Sequence, residues 1–329
     1  MNFADGATPP PDPEPSEDAR ARPHDLAARA EAAHLGLRAC RLCPRQCGVD
    51  RLTSSRGAFC RLDAQAWVYK ELLSVGEEQP LGPTWLIDLG GCSLRCLFCS
   101  EWAHVADPQR RPAVPLRGAW LIDRARSHKA AGALSVSFVG GDPTVSLAAV
   151  LDMLARQPSD AWLPVVWNCN GWLSTQAREL LAGVVACWII DLKFGPHGCS
   201  SRLAGAAGID NHAEVAASLD FAIAESPLES NLPPLIVRHL VMPGHLTCCT
   251  RPALDWLARR HPDTMVNVMT GYLPLGPAAT GRLRAAGELH GRLTGSERDA
   301  AVSHARQRFD RVLVDGRPDG APPRRLGRG

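Results

Sequence analysis

Six short apolar runs, at residues 84–90, 134–140, 163–168, 187–194, 235–242 and 265–269, divide the middle of this chain. Helical patterns follow them at 116–131, 146–156, 175–184, 213–224, 252–260 and 277–289. Strand-helix alternation builds βαβ units and hence a parallel sheet. Six units predict an α/β fold, a partial (β/α)6 barrel of TIM type, with a doubly wound sheet as the alternative. A last strand is expected at 311–314. The runs end in residues that a purely structural sheet does not need: Gly90-Gly91-Cys92, Gly140-Gly141-Asp142, Asn168-Cys169-Asn170, Asp191-Leu192-Lys193, Arg238-His239 and Asn267-Val268-Met269. In a parallel barrel the carboxyl ends of the strands are where chemistry sits.

Composition narrows the function classes. A hydrophobic fraction of 45% over 329 residues supplies a packed core, and a formal charge of +2 argues against nucleic-acid binding through a bulk basic field. No apolar run of about 18 residues predicts a membrane span, and the N-terminus lacks a basic-then-apolar leader, so a cytoplasmic protein is expected. Residues 1–25 carry six prolines and no apolar periodicity and read as disordered. A short Ala-rich helix is expected over 25–38. A cysteine-rich N-terminal extension spans 26–75, the barrel spans 76–316, and a Pro/Gly/Arg-rich tail at 317–329 reads as frayed. Glu77-Glu78-Gln79-Pro80 reads, on residue types alone, as a solvated turn.

The chain has 12 cysteines. Without a secretion signal, clustered thiols point to metal or catalysis rather than disulfides. In Cys92-Ser93-Leu94-Arg95-Cys96-Leu97-Phe98-Cys99 the spacing C-x3-C-x2-C lets three thiolates wrap three corners of a [4Fe–4S] cube, leaving one iron open. A zinc loop with a distant fourth ligand and buried free cysteines are the competing readings, although structural zinc sites more often pair C-x2-C units. Cys40, Cys43, Cys47 and Cys60 form a second set. Four thiolates close a structural site, and spacing does not separate zinc from an auxiliary iron–sulfur cluster. Cys169 sits at a strand end, Cys187 reads as core, and the vicinal Cys248-Cys249 pair reads as incidental.

The triple-cysteine loop, with an aromatic residue before its third cysteine, resembles the signature of the radical S-adenosylmethionine (SAM) superfamily. Gly140-Gly141-Asp142-Pro143-Thr144 resembles the superfamily's Gly-Gly-Glu-Pro motif, with Asp for Glu. Further blocks follow in order: Val166-Trp167-Asn168-Cys169-Asn170, Asp191-Leu192-Lys193-Phe194-Gly195, Arg238-His239-Leu240-Val241-Met242-Pro243-Gly244 and Asn267-Val268-Met269. Together they resemble the branch similar to pyruvate formate-lyase activating enzyme, often called PflX-like, over roughly residues 40–272. Glu77–Pro80 resembles another of its blocks. Activating enzymes of this type carry Asp-Thr-Asn where this chain has Asn168-Cys169-Asn170.

The resemblance implies specific roles. Cys92, Cys96 and Cys99 ligate the SAM-binding cluster, and Gly140, Gly141 and Asp142 hold the methionyl amine. Asn168, Asn170, Asp191 and Lys193 line the SAM site. His239 or Arg238, with Asn267, completes the ribose, carboxylate or substrate side. No residue is singled out as catalytic. The implied cofactors are a [4Fe–4S] cluster and SAM, with zinc or an auxiliary cluster at the second cysteine set. The implied activity is that of an oxidoreductase: reductive cleavage of SAM to a 5′-deoxyadenosyl radical that abstracts hydrogen, with activation of a glycyl-radical enzyme as the first candidate. The implied partners are an electron donor of flavodoxin or ferredoxin type and a protein or peptide substrate, with no membrane and no nucleic acid. Radical modification of a peptide or small molecule, a non-catalytic iron–sulfur electron carrier and a zinc-stabilised interaction module are the alternatives.

Overall fold

The computed structural model describes residues 23, 25–75, 78–116, 118–225, 231–280 and 289–318. Among the described residues ten strands form one open sheet. The parallel run is β2 (Thr84–Leu89), β4 (Ser135–Gly140), β5 (Val165–Cys169), β6 (Val185–Asp191), β7 (Leu235–Leu240), β8 (Met265–Met269) and β9 (Val312–Val314). This is the expected partial α/β barrel, with sequential strands adjacent in space.

Three strands went unforeseen in the sequence. β1 (Trp67–Ser74) and β3 (Val114–Pro115) extend one edge antiparallel, and β10 (Arg317–Pro318) folds back along β9 at the other. β1 lies within the cysteine-rich extension and pairs with β2 along Val68–Ser74, so that segment is continuous with the sheet. Of the helix expected over 277–289, the first residues belong to a 3-10 turn at Gly276–Thr280, and 281–288 lie outside the described residues. Positions 1–22, 24, 77 and 319–329 also lie outside them.

The helices form where the pattern and the caps agree. Leu147–Arg156 buries Leu147, Val150, Leu151 and Leu154, the spacing of one helical face. Ser174 caps Thr175–Leu181 by accepting from Ala177 N–H, and Asp210 caps Asn211–Ala224 through His212 and Ala213 N–H. Gly295–Arg306, unforeseen, opens with a Thr294/Glu297 capping box.

Alternation along the strands divides the core. One face packs Trp85, Ile87, Phe138, Trp167, Ile190 and Val237 against the helices. The other forms a smaller apolar layer of Val166, Cys187, Ile189, Ile236, Met265 and Leu313 inside the curled sheet. Position 168 follows 166, and 238 follows 236, on that inner face. The polar residues therefore stack above an apolar floor, toward the carboxyl ends.

The β1–β2 connection bridges the two sheet edges. Gln79 N–H donates to Gly316 O at 2.7 Å, next to β10. Glu78 enters the interior and is 1% exposed. The solvated-turn reading of this segment therefore fails at Glu78, because its carboxylate meets Arg238 and Asn267, far away in sequence.

Candidate active site

The 91–99 loop is held by backbone bonds from separate segments. Asp142 N–H donates to Gly91 O at 3.0 Å, Arg95 N–H to Ala204 O at 3.0 Å, and Leu97 N–H to Leu203 O at 2.8 Å. Ala278 N–H donates to Leu97 O at 2.7 Å. Phe98 is buried beside Phe194 and Tyr272, with ring centroids 6.1 and 6.4 Å away. The aromatic thus anchors the loop in the core. Cys92 and Cys96 are buried and Cys99 is half-buried.

Glycines 140 and 141 let two loops touch. Gly140 has φ +101, and a Cβ on Gly141 would lie 1.9 Å from Gly91 O. Gly141 N–H donates to Leu89 O at 2.7 Å. Only a residue without a side chain permits this approach of backbone to backbone.

Asp142 is buried, and its two oxygens accept from Thr144 N–H and Asn170 N–H, each at 2.9 Å. Burial pushes its pKa up to about 6, against the pull of those donors. The Asn170 side chain donates to Ser93 Oγ at 2.9 Å and lies 3.5 Å from Cys92 Sγ, and its oxygen accepts from Trp172 N–H. The ends of β4 and β5 are thereby joined to the cysteine loop.

Lys193 pairs with Asp191 just past β6. Burial opposes its charge, but Asp191 and Cys96 outweigh that and hold its pKa above the ordinary lysine value. Burial pushes the Cys96 thiol up to about 12 while Lys193 draws it back. A fixed cation beside one thiol of a three-cysteine loop suits an anionic iron–sulfur cube. The donor set is chemically right for that cofactor: three thiols on one loop, an N–H group directed at the first and an ammonium at the second.

Arg238, Asn168 and Asn267 sit lower in the interior. Glu78 accepts from Arg238 through both its oxygens, one bond measuring 2.6 Å, and accepts from Asn267 Nδ2 at 3.0 Å. Arg238 Nη1 donates to Asn168 Oδ1 at 3.3 Å. Asn168 Nδ2 is buried without a partner among the described residues. Asn267 Oδ1 accepts from Gly316 N–H at 2.9 Å. These three expected site residues form the polar floor beneath the Asn170–Lys193 layer. Glu78 completes that floor; the resemblance of Glu77–Pro80 to a family block marked the segment, but its residue types gave no sign of the burial.

His239 lies elsewhere. Being next to an inward Arg238, it points outward, and its Nδ1 and Nε2 meet Leu192 O at 2.7 Å and Thr250 Oγ1 at 3.0 Å. Both ring nitrogens are thereby engaged, and burial lowers its pKa to about 4. Period-two alternation, which puts neighbours on opposite faces, could have signalled this.

The second cysteine set lies against the first. Cys40, Cys43, Cys47 and Cys60 line one cavity with Arg45 and Arg51. Arg45 donates to Ser93 O at 2.9 Å and stacks on Phe59 with its guanidinium carbon 3.8 Å from the ring centroid. Arg51 is buried, donates to Leu62 O, Asp63 O and Val145 O, and lies 3.5 Å from Cys40 Sγ. Burial pushes the Cys43 thiol up to about 12.

An uncharacterized protein of Methanocaldococcus jannaschii is 34% identical over 257 residues, which span 77% of this chain and 71% of the relative. TsrM from Kitasatospora setae, a radical S-adenosylmethionine methyltransferase with cobalamin and a [4Fe–4S] cluster bound, superposes with a TM-score of 0.46 at 15% identity over 70% of this chain. Native anSMEcpe with bound AdoMet superposes with a TM-score of 0.47 at 12% identity over 68% of this chain. This chain spans 54% and 61% of those two structures. Residues 86–245 match the model of the radical SAM superfamily, a stretch that holds the three-cysteine loop, the Gly140–Asp142 turn and the ends of β5, β6 and β7. Residues 86–245 of this chain are a radical SAM superfamily domain.

Proposed function

We propose that this chain reductively cleaves SAM at a [4Fe–4S] cluster held by Cys92, Cys96 and Cys99, for hydrogen abstraction from a substrate at the open end of the barrel. The observation that carries the reading is the junction at Asn170, which links the Asp142 turn, the β5 end and Cys92. When bound, the cluster and SAM supply one-electron cleavage of the sulfonium and a 5′-deoxyadenosyl radical that takes a hydrogen atom. The chain's own residues do the rest. Asp142 positions Asn170 and Thr144, Asn170 polarises the Cys92 sulfur, and Lys193 balances charge at Cys96. Phe98, Phe194 and Tyr272 keep the inner side of the loop dry.

The test is anaerobic. Reconstituted protein, reduced with dithionite and given SAM, is expected to release 5′-deoxyadenosine, and Cys96→Ala to release none. SAM that stays intact and fails to bind, on protein with a verified cluster, sinks the proposal.

The substrate proposed is a glycine in the loop of a glycyl-radical enzyme. Its support is the ordered set of blocks from Gly140 to Met269 that resembles activating enzymes. A one-electron donor of flavodoxin or ferredoxin type supplies the reducing equivalent. A glycyl radical signal by electron paramagnetic resonance in a candidate partner is the positive result; deoxyadenosine formed only with a small molecule or free peptide would redirect the assignment.

For Cys40, Cys43, Cys47 and Cys60 we propose an auxiliary iron–sulfur cluster. Its support is the shared cavity, where four thiols face one another with Arg45 and Arg51 beside them to offset the charge of a four-thiolate site. Iron analysis decides this: Cys43→Ser with Cys60→Ser should halve the iron per chain, and unchanged iron refutes it.

A further inference from the structure

Cys199, Cys248 and Cys249 come from two segments 49 residues apart at nearest. Their sulfurs all lie within 4.8 Å of one another, and Cys248 Sγ is 3.9 Å from Cys249 Sγ. Among the described residues this is the one trio of His, Cys, Asp or Glu ligand atoms so close. Cys199 opens the helix Cys199–Leu203 after β6, and the pair lies in the π-helical turn Leu246–Thr250 after β7.

We infer that Cys199, Cys248 and Cys249 form a third metal site, mononuclear and thiophilic, which takes zinc through three thiolates. Thiolates sharing one zinc at ~2.3 Å stand about 3.8–4.0 Å apart, the spacing of the vicinal pair. A cube binds each thiolate through a different iron and so spreads its sulfurs further than one shared ion does. The surroundings suit bound thiolates. The Gly195 backbone favours the Cys249 thiolate, and Arg202 Nη2 lies 3.9 Å from Cys199 Sγ, offsetting the net negative charge of three thiolates on a dication. Cys199 and Cys249 are buried while Cys248 is half-buried, so entry and a fourth, solvent-filled position lie on the Cys248 side. The buried Cys249 thiol has a raised pKa, so binding releases protons.

The site is placed to brace the active-site loops. The helix begun by Cys199 ends at Leu203, whose carbonyl, with that of Ala204, grips Leu97 and Arg95 of the cluster loop. Gly195, two residues past Lys193, packs so closely that a Cβ there would lie 2.5 Å from Cys248 O. One ion would thus clamp the β6 and β7 loops together behind both Lys193 and the cluster loop.

The experiment uses the full chain, reduced, anaerobic and reconstituted with iron and sulfide. Zinc is added, excess is removed by desalting, and the retained zinc is counted and examined by X-ray absorption at the zinc edge, which is blind to iron. Wild type is expected to retain one equivalent more than Cys199→Ser/Cys248→Ser, with sulfur neighbours at ~2.3 Å, whereas Cys187→Ser, in the inner core, retains the wild-type amount. Should the double variant fold poorly, Cys248→Ser alone is expected to weaken zinc at least tenfold with the melting temperature of the zinc-free protein unchanged. Equal retention by wild type and the double variant, unchanged affinity in Cys248→Ser, or zinc with no sulfur neighbours overturns the inference. So does a Cys199–Cys248 disulfide that persists in the reduced protein.

Discussion

Asn170 N–H donates to Asp142 Oδ2 at 2.9 Å, and the same asparagine's side chain lies 3.5 Å from the sulfur of Cys92. One carboxylate therefore sets the distance between two strand ends, and the strand end sets the environment of a thiol.

Asp142→Asn should separate positioning from metal binding. The amide keeps the volume but can accept from only one of the two N–H groups. A hydrogen bond to a charged acceptor contributes about 1.5–3 kcal/mol, so stability should fall by about 2 kcal/mol in chemical denaturation. SAM affinity, read by equilibrium dialysis, should drop roughly tenfold, the same order of energy, while iron content stays at the wild-type level. Loss of iron with unchanged SAM binding would contradict the assigned role.

Gly141→Ala tests the approach of the two loops. Its Cβ would meet backbone, Gly91 O, at 1.9 Å, and backbone cannot swing aside as a side-chain tip can. Overpacking costs about 1–3 kcal/mol, and here the displaced atoms belong to the cluster loop. The variant should lose most of its iron on desalting. Gly295→Ala, where an added Cβ meets nothing within 4 Å, should match wild type.

Glu78 and Arg238 should behave as a unit. Both are buried, and they share two hydrogen bonds. Removing one partner of such a pair typically costs 3–5 kcal/mol because the other charge is stranded. Glu78→Gln and Arg238→Met should each destabilise by about 3 kcal/mol, and the double variant by clearly less than the sum. Strict additivity in a denaturation cycle would mean the pair is not coupled.

His239 predicts an acid limb in the stability profile. Its folded pKa is about 4, depressed by burial below the ordinary histidine value of 6.5. The unfolded state therefore binds more protons between those values, and stability falls as pH drops from about 6.5 to about 4, then levels off. A shift of that size corresponds to about 3 kcal/mol. His239→Asn should flatten this segment of the melting temperature against pH; an unchanged slope would assign the acid limb to other groups.

The sequence and the structure part at identifiable places. β2 and β4 to β9 were legible because strands buried on both faces read as unbroken apolar runs. β1 was not: Trp67–Ser74 mixes Lys70 and Glu71 into a half-exposed edge, and such a pattern has no single period. The three-cysteine loop and the Gly140–Asp142 turn were legible because their constraint is local spacing. Glu78 was not, since its burial depends on Arg238, 160 positions away. The Cys199, Cys248 and Cys249 group escaped for the same reason: no spacing rule joins a lone cysteine to a pair so distant in sequence.

The guanidinium of Arg51 reaches Leu62 O, Asp63 O and Val145 O at once. Two of those acceptors belong to its own loop, but the third follows β4 and exists in place only after the parallel strands have docked. The shape of the Cys40–Cys60 ring is therefore set by the sheet as much as by its own sequence, and a change after β4 that moves Val145 O would be felt at Arg51 and, through it, at Cys40.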